Sequence, residues 1–364
     1  MAAVFGLVAF GLLMIYSASA VVASQKYGDS LYFFRRQFLW SVVGWVGLWT
    51  ASRIDPEVWR KVSLPLLGIS FILLVLTLVP GIGVEINGAR RWIRMGSFSF
   101  QPSELAKLAV ITYLATYLIR KEDRVKVFWH GLFPPLVVVG VLVVLILVEP
   151  DLGTAAVIAG ATVGMLFLGG ARILHLAMLG LVLIPILTGL VLAAGYRKQR
   201  ILAFLDPWGD PMGSGFQVIQ SFLSFGHGGF LGVGLGEGRQ KLFFLPEAHT
   251  DFIYAVIGEE LGLLGGGLVV FLFLFFLWRC LRILQRHAGS FEGNLAMGIG
   301  VLIGIQAVTN LGVVTGLLPT KGIPLPFMSF GGTSLLINLV MVGILLGISR
   351  RPGSFFQEER QRLS

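Results

Sequence analysis

Four side chains able to do chemistry, Glu247, His249, Thr250 and Asp251, occupy five positions immediately before an apolar run. A carboxylate at the mouth of an apolar helix is partly desolvated, which raises its proton affinity and suits Asp251 to act as a general base. Asp251 also fits a helix N-cap, because its carboxylate can accept a backbone N–H. Capping alone leaves the crowding of Glu247, His249 and Thr250, and the stiff approach through Pro246, without a reason. Eight and nine residues beyond Asp251 come Glu259 and Glu260, about 12–14 Å deeper on a regular helix. Adjacent helical residues point about 100° apart, so the two cannot both face one cavity. An isolated charge in a span costs several kcal/mol, so each either works chemically or pairs with a cation of a neighbouring helix.

Such a cation lies in "FSFQPSELAKLAV" (98–110), where Pro102 suits the first helical position and Glu104 and Lys107 share a face. Lys107 either pairs with Glu104 or is presented to a polar cleft that also receives Asp251. Upstream, "NGARRWIRMG" brings Arg90, Arg91 and Arg94 together around Trp92, a combination suited to phosphate groups or to interfacial anchoring. "EPDLGT" sets Glu149 and Asp151 about Pro150 in a short turn, with Asp151 as an N-cap. "YRKQRILAFLDPW" (196–208) has the pattern of an interfacial amphipathic helix. "PTKGIPLPFMSFGGTS" places three prolines and three glycines around Lys321, the pattern of a broken segment that must be buried in protein or line a cavity. The glycine-rich "GHGGFLGVGLGEG" (226–238) matches no nucleotide-binding pattern and is expected to be a flexible loop. Five histidines without H-E-x-x-H spacing and a single cysteine, Cys280, give no metal site and no internal disulfide.

The elements that must position these groups are membrane helices. The chain is 55% hydrophobic and 13% charged, against about a quarter charged in a soluble domain. Ten apolar spans are expected, at 1–24, 37–52, 62–80, 103–119, 132–148, 152–169, 172–194, 252–278, 294–317 and 331–349. This is an all-α polytopic membrane protein, treated as one domain over 1–364, with a large extracytoplasmic loop at 195–251. The first segment has no basic flank or cleavage site and reads as a retained span. With both termini in the cytoplasm, the inner segments, including Arg360 and Arg362, hold 15 Lys/Arg and the outer ones 12, five of these in the long loop. Long loops cross membranes with little regard to charge, so the orientation holds. The net charge of +9 belongs to membrane flanks, and no motif for nucleic acid accompanies it.

Six stretches in order, "NGARRWI", "FQPSELAKL", "EPDLGT", "LDPW", "KLFFLPEAHTDFIYAVIGEELGL" and "PLPFMSFGGTSLL", resemble the SEDS (FtsW/RodA/SpoVE) family of bacterial cell-wall proteins over nearly the whole chain. "NGARRWI", "LPEAHTDF" and "LPTKG" look like the division branch, whereas "GIPLPF" is nearer the elongation branch, and the sporulation branch is a third possibility. The resemblance implies a glycosyltransferase that polymerises lipid II, the undecaprenyl-diphosphate-linked disaccharide pentapeptide, at the outer face of the bacterial cytoplasmic membrane, at the septum for a division member. It also implies a class B penicillin-binding protein as partner, alongside other division or elongation proteins. By the same resemblance Asp251 is the essential residue, and Glu104, Lys107, Asp151 and Trp92 are cavity residues. Transfer from an α-linked diphosphate to a β-1,4 glycan inverts the anomeric centre. That needs a base, Asp251, and positive charge on the departing diphosphate, for which Lys107, Arg90, Arg91, Arg94 and Lys321 are candidates. Glu247, His249 and Thr250 support the mouth. No motif requires a cofactor, although a divalent cation could bridge the phosphates.

Two other functions fit a many-span chain with buried charge. A lipid flippase would place its key residues near the bilayer midplane in repeated halves, and no repeat is visible. A non-catalytic scaffold for division would leave Asp251 dispensable.

Overall fold

The computed structural model describes residues 1–352, apart from 87, 97, 122, 123, 193, 194 and 243. Arg360 and Arg362 lie outside the described residues. Each expected span appears as a helix: α1 (Ala2–Tyr27), α2 (Tyr32–Ala51), α4 (Ser63–Leu78), α5 (Pro102–Arg120), α6 (Phe133–Val148), α7 (Leu152–Leu168), α8 (Ile173–Leu192), α11 (Ile253–Arg286), α12 (Phe291–Val314) and α13 (Gly332–Ser349). Three shorter helices accompany them: α3 (Pro56–Lys61), α9 (Gly195–Leu205) and α10 (Phe216–Gly228). Among the described residues five segments are long and apolar enough to cross a bilayer: Ala2–Tyr27, Phe128–Val148, Ile253–Arg286, Phe291–Val314 and Gly332–Ser349. The chain is a polytopic, predominantly helical membrane protein. α9 falls where the amphipathic pattern predicts it.

The fold is not purely helical. Residues 83–100 form an antiparallel sheet, β1 (Gly83–Ile86), β2 (Ala89–Met95) and β3 (Phe98–Phe100), in the order β1-β2-β3. Val84, Ile86, Trp92, Ile93, Phe98 and Phe100 are strand formers, and two glycines with left-handed φ, Gly88 (φ 75) and Gly96 (φ 63), stand at the turns. In the β1–β2 register Val84 faces Trp92 and Glu85 faces Arg90, which leaves Arg91 as the extra residue of a β-bulge.

The chain divides into two compact units, each drawn from three segments. The first comprises Met1–Ser41, Leu179–Phe276 and Gln306–Gly332. Of the stretch 319–334 expected to be broken, 319–331 is irregular and, apart from Gly322, buried or half-buried, and Gly332 opens α13. A β-carbon at Gly11 of α1 would lie 2.6 Å from Met328 Cα, so glycine is what lets α1 approach that segment. Phe327 fills the opposite side against Phe273 and Phe276.

α11 departs furthest from expectation. The sequence predicts one continuous span, whereas the structure breaks the helix at Gly262 (φ 61, ψ −157). Residues 226–238 are expected to be a flexible loop; instead 226–228 end α10 and the rest forms, with 239–241, a strap docked in the break. Leu263 and Leu264 donate their N–H groups to the carbonyls of Gly229 and Phe230 at 3.0 and 3.3 Å. The carbonyls of Glu259 and Glu260 accept from Val233 and Gly234, each at 3.0 Å. The helical pairs 263→259 and 264→260 are thereby replaced by four bonds to the strap. The glycines follow from this approach: a β-carbon at Gly228 would collide with the Gly258 carbonyl, and one at Gly232 with that of Glu260. Unsatisfied backbone in an apolar setting is costly, so the strap is what makes the break tolerable.

The second unit comprises Val42–Met178, Leu277–Ile305 and Thr333–Ser364. α5 is buried on nearly all sides, as suits a helix at the centre of a bundle. Small residues permit close packing: Gly298 lies against Ile111 and Met165, and Gly343 against the Leu48 carbonyl and Ala51.

Gly262→Ala is expected to lower stability by about 1–3 kcal/mol from backbone strain alone, with a further loss from collision with Gly232. Gly267→Ala, with open space around its β-carbon, is expected to be neutral or to stabilise by up to about 1 kcal/mol. Thermal unfolding in detergent measures both.

Candidate functional site

In the first unit Asp251 sits in the last turn before α11. Phe252, not Asp251, holds the cap position, and its carbonyl accepts from Ala255 and Val256. The Asp251 main chain is pinned from α12: Asn310 Nδ2 donates to the Asp251 carbonyl at 2.8 Å and to the Ile323 carbonyl at 2.7 Å. One buried amide thus ties the helix mouth to the irregular segment. Between Lys321 and Ile323 the chain makes a tight turn, Ile323 N–H to Lys321 carbonyl at 2.9 Å. Its central residue, Gly322, lies against the carboxylate: a β-carbon there would stand 2.9 Å from Asp251 Oδ2. Lys321, Gly322 and Asp251 therefore form one neighbourhood. Burial lowers the proton affinity of Lys321, so its positive charge is poorly solvated. Arg200 of α9 reaches the same segment, with Nη1 3.4 Å from the Thr320 carbonyl.

The residues before Asp251 shape this mouth. Glu247 is exposed and adopts φ 55, a left-handed conformation uncommon outside glycine. Its carbonyl accepts from the N–H groups of Thr250 and Phe252 at 3.1 and 3.3 Å, and Thr250 Oγ1 donates to Glu247 Oε2 at 2.8 Å. His249 packs on Phe33 (4.4 Å between centroids) and Phe330 (5.7 Å), and its carbonyl accepts from Phe330 N–H at 2.9 Å. Gln37 of α2 completes the support. It donates to the Ser329 carbonyl at 3.2 Å and accepts from Gly331 N–H at 3.1 Å.

In the second unit Lys107 pairs with Glu104 at 2.7 Å, and both side chains are almost fully buried. That is the local pairing the sequence allows. The cation that meets Glu260 is not Lys107 and is not on a helix: it is Lys241 of the strap, at 2.6 Å. The three arginines do not act as a group. Arg90 pairs with Glu85 at 3.3 Å on the surface, and Arg94 is exposed. Arg91, turned by the bulge, donates through Nε to the Glu149 carbonyl at 3.0 Å and through Nη2 to the Pro150 carbonyl at 2.5 Å. Trp92 is half-buried opposite Val84. Asp151 is the N-cap of α7, accepting from Thr154 N–H at 3.0 Å and Thr154 Oγ1 at 2.9 Å, with Gln101 Nε2 at 3.4 Å. Beside it Glu149 is buried and hydrogen-bonded by Thr77 Oγ1. Burial pushes the Glu149 carboxyl up to about 7, reinforced by Asp151 and opposed by Thr77 and Arg91.

Sequence reasoning passes over Asn310, Gln37 and Gly322. A lone Asn in an apolar helix and a lone Gln at the start of another are weak signals, and Gly322 is hidden among other turn residues. Asp251 and Lys321 belong to one unit, and Glu104, Lys107, Arg91 and Asp151 to the other.

His249 carries a pH signature. Burial holds its proton affinity below the ordinary 6.5, opposed by Glu247 and aided by Lys26. The unfolded chain then takes up this proton first as pH falls. Stability is complete above about pH 6.5 and declines below it until the folded imidazole itself titrates. His249→Phe, which keeps the ring stack, is expected to flatten the dependence of Tm on pH just below about 6.5. An unchanged slope would place the titration elsewhere.

A family model described as a cell cycle protein, FTSW_RODA_SPOVE, matches residues 1–353. A "Probable peptidoglycan glycosyltransferase FtsW" of Geobacter sp. (strain M18) is 48% identical, covering 95% of this chain and 94% of the relative. The "Stage V sporulation protein E" of Bacillus subtilis (strain 168) is 47% identical, covering 94% of each. A chain from a structure concerned with polymerization and crosslinking by a peptidoglycan synthase complex superposes with TM-score 0.75 at 30% identity, over 95% of this chain and 97% of that one. The rod shape determining protein RodA of Thermus thermophilus superposes with TM-score 0.70 at 28% identity, over 96% and 94%. With sequence and fold in agreement along almost the full chain, this protein belongs to the FtsW/RodA/SpoVE family.

Proposed function

We propose that this protein is a peptidoglycan glycosyltransferase that polymerises lipid II into β-1,4 glycan strands at the outer face of the bacterial cytoplasmic membrane. In this reading both termini are cytoplasmic, and the role is septal cell-wall synthesis with a class B penicillin-binding protein as partner. One observation carries it: a carboxylate at an apolar helix mouth has its main chain pinned by Asn310 and lies against Gly322, next to the poorly solvated Lys321. The names of the curated relatives support the reaction class. The neighbour from a peptidoglycan synthase complex supports a partnered enzyme. Similar identity to the sporulation protein keeps a spore-wall role as the second reading within the family.

In this mechanism Asp251 removes the proton from the acceptor sugar hydroxyl as that oxygen attacks the anomeric carbon. The bond to the diphosphate breaks on the opposite face, and the configuration inverts. Lys321 stabilises the departing diphosphate, which in turn supplies the anionic partner that burial makes favourable for a lysine. Lys107 and Arg91 are committed to Glu104 and to backbone carbonyls. Glu247, His249 and Thr250 shape the mouth. Among the described residues no group of three His, Cys, Asp or Glu side chains is arranged to cage a metal. A divalent cation, if one takes part, would supply positive charge to the leaving diphosphate, whose oxygens suit a hard cation.

Asp251→Asn, purified with the partner transpeptidase, is expected to stay folded and partner-bound and to make no glycan from lipid II, read as polymer on a gel. Full-length glycan from this variant would overturn the assignment of the base. Gly322→Ala is expected to push the carboxylate aside and reduce turnover by about 10- to 100-fold with little change in Tm.

A further inference from the structure

The strap is fastened to α11 by more than its backbone. Glu260, which is fully buried, receives three donors through four contacts, the Ser17 hydroxyl lying between its two oxygens. Lys241 Nζ lies at 2.6 Å from Oε1, Ser17 Oγ of α1 at 2.7 and 2.8 Å from the two oxygens, and Gly236 N–H at 3.1 Å from Oε2. Lys241 directs its other two ammonium protons to Ser17 Oγ at 2.9 Å and the Gly236 carbonyl at 2.7 Å. Glu259, its neighbour around the helix, takes the N–H groups of Arg239 at 2.9 Å and Gln240 at 3.2 Å. Two adjacent carboxylates therefore point in different directions, and both clasp the strap.

The place of this clasp in the chain gives it a consequence for the reaction. Upstream of the break, only residues 253–261 of α11 remain, a half-helix of little more than two turns with Asp251 at its head. So short a helix is marginal by itself, so its direction is set by its tertiary contacts. Its far end is held by the strap, and the strap leads within ten residues from Lys241 back to Asp251. The half-helix, the strap and the mouth thus form a closed loop of chain, fastened at the Lys241–Glu260–Ser17 clasp at one end and at Asn310 at the other.

We propose that Lys241, Glu260 and Ser17 are positioning residues for glycosyl transfer, fixing the half-helix so that Asp251 meets the acceptor hydroxyl. The proposal rests on the reading of Asp251 as the base. None of the three touches substrate. They act through the direction of residues 253–261, so their loss falls on the chemical step rather than on binding.

The test uses the full chain with its transpeptidase partner, measuring lipid II turnover, Tm and amide hydrogen exchange for Glu260→Gln, Lys241→Met, Lys241→Arg and Ser17→Ala. Glu260→Gln and Lys241→Met are expected to lower kcat by about 10- to 100-fold, with KM for lipid II within about threefold. Exchange should quicken in 229–241 and at Leu263 and Leu264, while α12 stays protected. Lys241→Arg, which keeps the charge, should recover part of kcat. Ser17→Ala removes a single hydroxyl and is the variant least able to unfold the protein. It is expected to show the same pattern in smaller measure, about threefold or more in kcat. Wild-type kcat in a variant whose strap amides exchange faster would overturn the proposal. So would a parallel fall of kcat, Tm and protection throughout the molecule with no rescue by Lys241→Arg. Asp251→Asn serves as the separate arm: glycan synthesis by it would remove the base assignment, whereas inactive Asp251→Asn beside fully active clasp variants would remove the positioning role alone.

Discussion

A polypeptide surrounded by apolar material has to satisfy its own main-chain polar groups, and at Gly262 that requirement is met from outside the helix. Two amides and two carbonyls that would pair along α11 instead pair with a strap that arrives earlier in the chain. Much of the first unit depends on this exchange. Gly228, Gly232 and Gly238 are needed for the close approach, Glu259 and Glu260 are buried because they bind the strap, and Lys241 is buried because Glu260 is. A buried ion pair adds little net stability but is expensive to leave half-made, so it ties the position of the strap to that of the helix.

The same use of buried amides operates at the mouth of α11. Asn310 holds two carbonyls that belong to different segments, Asp251 and Ile323, and Gln37 holds both ends of the Ser329–Gly331 stretch. Neither the pre-helical turn nor the proline-rich segment has regular structure to fix it. Side-chain amides, each able to donate and accept, take the place of a backbone ladder. The result is an irregular site with few degrees of freedom around one carboxylate.

The helices are legible in the sequence because bilayer-length apolar runs are unambiguous, and Asp251 because four reactive side chains precede one such run. Asp151 as a cap and the irregular course of 319–331 also follow from local chemistry, since Asp-x-x-Thr and repeated proline and glycine act within a few residues. What is not legible depends on long-range contact. The glycine-rich stretch reads as flexible when its neighbours are unknown, and as closely packed once α11 is beside it. Lys107 is the visible cation for a buried glutamate, yet Lys241, nineteen residues before Glu260, supplies it. The sheet at 83–100 is hidden because three short strands resemble a polar loop when charges alternate with apolar residues. Proximity groups Arg91 with Arg90 and Arg94, and only the bulge in the strand register separates it from them.

The length of α11 gives the break one more meaning. At about 1.5 Å per residue, a straight helix of 34 residues would extend for about 51 Å, against a hydrocarbon layer about 30 Å thick. An unbroken rod of that length would have to tilt steeply or carry its head well clear of the lipid. Dividing it at Gly262 leaves a following section of 24 residues, Leu263–Arg286, close to the thickness of the bilayer. The leading section is released from spanning altogether. The thickness of the membrane is matched by one part of the helix, and the other part is left to answer only to the reaction at its tip.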